Sequence, residues 1–161
     1  MSAITQTPKV VVESPYAANE WFTVEDHLTY LRACLRDSVL RGESPYASHG
    51  LLTQEGVLND EIREERNRGI IAGHAWYPVA NKIVFYADFG VSRGMDFSLQ
   101  RLWMTSDEWR NKTEVRFLNP AREAEARQNH KDVASAFGDD PCDWEDLDTP
   151  SKLFYCTYKR T

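Results

Sequence analysis

The segment KVVVESPYA, residues 9–17, joins a β-branched run to a turn-forming Ser-Pro pair. Lys9 to Glu13 therefore predicts a short buried strand that ends before Pro15. The word ESPYA returns at residues 43–47, roughly 30 residues later, which is the length of one strand–helix–strand unit. We expect each word to lie at or near the carboxyl end of a parallel strand, with a helix between the strands.

The helix between the two words has clear end signals. Thr23 can cap its first turn, with Asp26 at the capping-box position, and Gly42 can end it. Its aliphatic residues recur at helical spacing and predict the face that packs on the sheet. They are Val24, Leu28, Leu31, Leu35 and Val39.

The rest of the chain continues the alternation of strands and helices. Residues 61–80 read as a helix broken before Pro78, residues 82–87 as a central strand, and residues 113–120 as a fourth strand. Beyond them we predict a charged helix over 121–137, an irregular acidic loop over 139–150 and an edge strand over 152–159. The predicted fold is a three-layer α/β sandwich with a mostly parallel, flavodoxin-like sheet over 1–120. Residues 121–161 form a C-terminal appendage of that same domain.

Composition narrows the classes of function. The 161 residues are 42% hydrophobic, enough for one domain with a core, and the net charge of −6 disfavours duplex nucleic acid as a partner. The three cysteines, Cys34, Cys142 and Cys156, are odd in number and lack CxxC spacing, which argues against a disulfide framework and against a zinc site. We predict no metal site and no cofactor. Apolar runs are too short to span a bilayer, and no leader pattern is visible. We therefore expect a cytoplasmic protein without a membrane partner.

The repeated word has two explanations. Ser and Pro are ordinary turn formers, so the two loops can share a purely structural solution. The repetition of Tyr16 and Tyr46 favours instead two loops that face one ligand crevice, because ligands of open α/β sheets bind outside the carboxyl ends of the strands. On this second interpretation Ser14, Pro15, Tyr16 and Tyr46 are ligand-binding residues.

The segment DFGVSRGMDFS, residues 88–98, runs from the central strand into a helix. Ser92 and the amides around Gly94 can form a phosphate-sized cradle at the start of that helix, and Arg93 can add charge-assisted hydrogen bonds. The alternative is a plain strand–helix loop in which Ser92 is only the helix cap.

Three further polar residues are candidates. His49 can donate to a phosphate or act as a base, although a histidine that satisfies a backbone carbonyl is the commoner case. Arg66 would share a helical face with Asn59, Gly69 and Gly73, the face that we place against the sheet, where an arginine needs a partner or a ligand. We interpret His74 as a packed histidine.

The order and spacing of these motifs resemble the nucleoside 2-deoxyribosyltransferase-like superfamily over roughly residues 9–118. The similar segments are SPYA, SPYASHGLL, the ND…EER helix and the S-x-G-M turn with Met95. That superfamily includes nucleotide N-glycosidases and uncharacterised phage proteins. The resemblance implies that the loop of Ser14, Pro15 and Tyr16 lies against the sugar and base, and that Asp88 contacts the nucleoside. It also implies that Ser92 and Gly94 hold a phosphate or sugar.

The resemblance further implies a homo-oligomer, for which Trp103, Trp109 and the C-terminal segment offer interface material.

One position departs from the superfamily pattern. Ser98 stands where the resemblance implies a catalytic glutamate, and no base adjoins it in the sequence. Asp88 is the better stand-in carboxylate, and Asp96 a poorer one because it points to another side of the helix. The sequence thus leaves two hypotheses: a nucleotide binder that sequesters a nucleotide signal, or an N-glycosidase or deoxyribosyltransferase of a nucleoside monophosphate that uses Asp88 or Asp96.

Overall fold

A computed structural model describes residues 6–157 as an α/β fold with a four-stranded sheet. All the strand pairs are parallel, and the order across the sheet is β2-β1-β3-β4. The strands are β1 (Lys9–Glu13), β2 (Ser44–Tyr46), β3 (Lys82–Tyr86) and β4 (Thr113–Arg116). The predicted parallel sheet is confirmed, and the expected central strand over 82–87 corresponds to β3.

Helices cover both faces of the sheet and connect its strands. They are α1 (Val24–Leu40), α2 (Ser48–Leu51), α3 (Arg63–His74), α4 (Arg93–Thr105), α5 (Asp107–Lys112), α6 (Pro120–Ala136) and α7 (Thr149–Thr157). Single 3₁₀ turns lie at Tyr77–Val79 and Trp144–Asp146.

The strands divide the core into two clusters, because alternate side chains point to opposite faces. On one face Val10, Val12 and Val84 pack against Tyr30 and Leu31 of α1. The other face holds Val11, Ile83 and Phe85, which share a cluster with residues of α4, α7 and the first 3₁₀ turn. The result is the predicted three-layer arrangement.

The buried face of α1 differs from the predicted aliphatic stripe. Its capping box of Thr23 and Asp26 is present, but Val39 is 56% exposed. The buried residues are His27, Tyr30, Leu31, Cys34 and Ser38. Two of these polar side chains are satisfied by groups outside the helix: Tyr30 donates to Asp88, and Ser38 donates to Glu43.

The two ESPYA words occupy different structures, although each lies at or near the carboxyl end of a parallel strand, as expected. Ser44–Tyr46 is itself β2, and Tyr46 lies opposite Val11 in the middle of β1. The first word begins at Glu13, the last residue of β1, and continues into the loop. β2 can accommodate Pro45 because it is an edge strand.

Helix α3 packs on α2 through Gly73 and on the following loop through Gly69, and not with these glycines against the strands. A Cβ added at Gly73 would lie 2.8 Å from the Cβ of Ser48, and one at Gly69 would lie 3.3 Å from Leu58. This close approach explains two glycines within a helix. Arg66 accordingly does not need a partner in the sheet, because 44% of its side chain is exposed.

The predicted edge strand over 152–159 is wrong, because Thr149–Thr157 forms the helix α7, and residues 158 and 159 lie outside the described part of the chain. The carboxylate of Asp148 accepts from the Ser151 amide at 2.8 Å, and Pro150 occupies the first turn. Leu153 is 3% exposed in the core on the α4 face. Helix α7 is therefore part of the core.

Candidate functional site

A crevice of about 590 Å³ opens at the carboxyl ends of β1 and β3. β1 leads to β2 on one side and has β3 on the other, so the crevice lies where the strand order reverses. Open parallel sheets bind ligands at this position. The lining residues are 13–19, 48, 49, 60, 66, 70, 74, 89, 91–95 and 98.

Most of the predicted binding residues meet in this crevice. Those that line it are Ser14, Pro15, Tyr16, His49, Arg66, Ser92, Arg93, Gly94, Met95 and Ser98. Tyr46, Asp88 and Asp96 are the three predicted site residues that do not line it.

A hydrogen bond of 2.8 Å joins the Ser14 hydroxyl to Nε2 of His49. Burial lowers the pKa of His49 to about 4, and the charge of His27 adds to the effect. The imidazole is therefore neutral at pH 7. Its partner is a side-chain hydroxyl and not the backbone carbonyl that we favoured from the sequence.

A second hydroxyl–imidazole pair lies on the opposite wall, where Nε2 of His74 is 2.9 Å from the Ser98 hydroxyl. Burial lowers the pKa of His74 to about 4, with a further contribution from Arg101. Nδ1 of His74 is buried, with no hydrogen-bond partner among residues 6–157. Sequence reasoning missed this base because 24 residues separate it from Ser98.

The first turn of α4 forms the third wall. The Ser92 hydroxyl accepts from the Met95 amide at 3.2 Å, so the helix-cap interpretation is confirmed for that side chain. The first backbone amides of any helix lack intrahelical acceptors. In α4 these include the amides of Arg93 and Gly94, two residues that line the crevice. The cap and an anion cradle are therefore compatible.

Asp88 is buried beside the crevice, and neighbouring groups, including backbone amides, already hydrogen-bond its carboxylate. Its carboxylate accepts from the Tyr30 hydroxyl at 2.5 Å and from the amides of Leu118 and Asn119 at 3.0 and 2.8 Å. It thereby ties α1 to the segment between β4 and α6. These donors explain its position without a ligand, so the structure does not support Asp88 as the stand-in carboxylate.

The other two residues outside the crevice have structural roles. Asp96 is exposed on α4, where it accepts from Gln100 at 3.0 Å. The ring of Tyr46 is 4.9 Å from that of Trp76 and packs against the core on the α4 face. The two tyrosines of the repeated word therefore do not share a crevice.

Glu13 is a crevice residue that sequence reasoning missed. The Tyr77 hydroxyl donates to its Oε1 at 2.5 Å, and within residues 6–157 Glu13 takes part in no salt bridge. Burial raises the pKa of Glu13 to about 7, although the Tyr77 hydrogen bond opposes the shift. The signal available in the sequence was an acidic residue at the end of an apolar strand. Glu13 comes two residues after the buried Val11, so both side chains point to the same face of the sheet.

Other kinds of site are absent from the described residues. Within 6–157 no group of three or more His, Cys, Asp or Glu side chains is placed to hold a metal ion. Over the same range no helix combines the length and the apolar character required to cross a membrane.

A family model described as a domain of unknown function, DUF7768, matches residues 8–110. The chain belongs to the DUF7768 family. The matched segment contains β1 to β3 and every residue that lines the crevice, whereas β4, α6 and α7 lie beyond it. No curated protein and no solved structure matches the chain.

Proposed function

We propose that this DUF7768 protein binds a nucleotide or nucleotide-derived small molecule in the crevice, with the phosphate at the start of α4. The observation that carries the proposal is the first turn of this 13-residue helix, which opens into a crevice also lined by Arg66 and Arg93. Free amides and the helix dipole favour an anion at such a position.

The two arginines supply positive charge on a protein with a net charge of −6. Arg66 is paired with Asp60 at 3.8 Å, a long contact that a phosphate can replace with shorter, charge-assisted bonds. Arg93 is exposed at the mouth of the crevice. Together with the helix start they favour a phosphate over a neutral ligand.

The remaining walls suit the uncharged part of a nucleotide. The Ser14–His49 and Ser98–His74 pairs offer hydroxyl and imidazole groups that can hydrogen-bond sugar hydroxyls or base edges. The half-buried Tyr16 supplies an aromatic ring for stacking. A volume of about 590 Å³ lies within the usual range for small-molecule sites.

The test is a binding titration of nucleoside monophosphates and the matching nucleosides. We expect Arg66→Gln to weaken monophosphate binding about tenfold and to change nucleoside binding little, because a lost charge-assisted bond costs ~1.5 kcal/mol or more. Arg68→Gln, an exposed change on the same helix but outside the crevice, is the matched control. Equal effects of the two variants would argue against a phosphate at this wall.

A second function, cleavage or transfer of the base of a nucleoside monophosphate, is favoured by the carboxyl of Glu13 in the crevice wall. Such chemistry needs an acidic group near the glycosidic bond. Incubation with nucleotides followed by chromatography separates the two functions. An intact ligand released by heat supports a binder that sequesters a nucleotide signal, and free base supports an enzyme.

The proposal also includes a cytoplasmic homo-oligomer. Trp103 and Trp109 are half-buried against the core, so they offer less interface than expected. The exposed apolar residues Met104, at 86%, and Phe154, at 52%, border a groove between α4 and α7 that a second copy can cover. Light scattering at micromolar concentration tests this assembly, and a monomer would contradict it.

A further inference from the structure

Glu13 is a carboxyl in the crevice wall that takes part in no salt bridge within residues 6–157. It occupies the last position of β1, and its hydrogen-bond partner within residues 6–157 is the hydroxyl of Tyr77, a residue only 1% exposed. Because that hydroxyl donates to Oε1, an acid proton on Glu13 belongs on the other oxygen. A neutral carboxyl in this place can donate one hydrogen bond into the crevice.

Titratable and charged groups from several elements adjoin Glu13. They are Tyr16 (first loop), His27 (α1), Tyr46 (β2), His49 (α2), Asp60 (loop before α3), Arg66 and His74 (α3), Tyr77 (3₁₀ turn), and Arg93 and Arg101 (α4). The pKa of both His49 and His74 is lowered to about 4, chiefly by burial, so these two rings stay neutral above about pH 5. Burial raises the pKa of Tyr46 and Tyr77.

We propose that Glu13 binds the nucleotide in its protonated form and donates a hydrogen bond to an uncharged acceptor of the ligand, such as a ring nitrogen or a sugar oxygen. The inference rests on the proposed function and adds to it the chemistry of one contact. An ionised Glu13 would place a like charge in the same crevice as the phosphate, which opposes binding. Burial raises the pKa of this carboxyl to about 7, so the acid form is well populated at neutral pH.

The consequence is an affinity that falls as the pH rises. If only the acid form binds, the apparent affinity follows the fraction of Glu13 that is protonated. With a pKa of about 7 that fraction falls about tenfold between pH 6 and pH 8. Glu13→Gln keeps the size and the donor but carries no titrating proton, so its affinity should lack this component.

The experiment is calorimetry at pH 6, 7 and 8 with the ribonucleoside monophosphates of adenine, cytosine, guanine and uracil. The ratio of wild-type to Glu13→Gln affinity should fall about tenfold over this range. The ratio cancels the titration of the ligand phosphate. Glu20→Gln, an exposed change in the loop after β1, should keep the wild-type pH dependence. A ratio that stays constant, or that rises with pH, would overturn the proposal.

A ligand-free measurement separates this inference from the proposed function. NMR of carboxyl-labelled glutamate, assigned with Glu13→Gln, should give a titration midpoint near 7 for Glu13. A midpoint near the ordinary value of 4.5 would overturn the inference even if nucleotides bind. A midpoint near 7 in a protein that binds none of the four nucleotides would instead contradict the proposed nucleotide ligand. The protonation of Glu13 near neutral pH would then still be supported.

Discussion

The word ESPYA places a glutamate at Glu13 and again at Glu43, and the fold puts the two carboxyls in opposite electrostatic environments. The Glu43 carboxylate accepts hydrogen bonds from both terminal nitrogens of Arg116, at 2.7 and 2.8 Å, and from the Ser38 hydroxyl at 2.7 Å. Among the described residues, the Glu13 carboxyl accepts a hydrogen bond only from the Tyr77 hydroxyl. The hydrogen bond from Arg116 lowers the pKa of Glu43 to about 2, whereas burial raises that of Glu13 to about 7.

The difference comes from distant residues and not from the word itself. The second word is β2, and Glu43 just before it faces the polar network around α1 and β4. That network joins Glu43, Arg116, Glu114, Lys82, Ser38, Tyr86 and Asp37. The first word ends β1 at the open crevice. A carboxyl in the network is structural, while a carboxyl in the crevice is available to a ligand.

The largest expected effect comes from removing the cation of the paired glutamate. Arg116→Met should lower the free energy of unfolding by about 3–5 kcal/mol, because it leaves a buried carboxylate without its main partner. Urea unfolding at pH 7 measures the loss. The exposed pair of Arg32 and Glu25 is the control, since Arg32→Met should change stability by less than about 1 kcal/mol. Similar losses of stability in both variants would mean that the buried Arg116–Glu43 pair contributes no more than an exposed ion pair.

The two glutamates should also give opposite pH dependences of stability. The folded-state pKa of Glu43 is depressed, so its contribution is present above pH 4.5 and is lost as the pH falls towards 2. The folded-state pKa of Glu13 is raised, so its protonated form favours folding at low pH, and this advantage is lost between pH 4.5 and 7.

Unfolding of the two glutamine variants tests these signs. Relative to wild type, the free energy of unfolding of Glu13→Gln should rise by about 2 kcal/mol between pH 4.5 and 7. The stability that Glu43→Gln loses relative to wild type should become smaller as the pH falls below 4.5. Parallel profiles for the two variants would contradict the comparison.

The tyrosines of the two words should differ less. Tyr46→Ala should cost about 1–2 kcal/mol of stability, because its ring packs on Trp76 and the core. Tyr16→Ala should cost less than about 1 kcal/mol and should weaken nucleotide binding, because its ring lines the crevice. Thermal unfolding and nucleotide titration of the same two samples provide the measurements. Reversed effects would restore the shared-crevice interpretation of Tyr46.

Local signals in the sequence predicted much of the fold. The apolar runs gave β1 and β3, the Thr23–Asp26 box gave the start of α1, and Ser92 gave the start of α4. Strand and cap signals lie within a few residues of one another, so neighbours in the chain decide them. The same alternation of strands and helices indicated the crevice at the carboxyl edge, and ten of the predicted site residues line it.

Only the tertiary structure decided which polar groups meet. His74 reaches Ser98 across 24 residues, Tyr77 reaches Glu13 across 64, and Arg116 reaches Glu43 across 73. It also placed polar residues on the buried face of α1 and made α7 a helix. The sequence by itself therefore determined β1, β3 and β4, the starts of α1 and α4, and the position of the crevice. The charge of each buried carboxyl was left to the fold, because a pKa depends on burial and on partners that the chain brings together only when it folds.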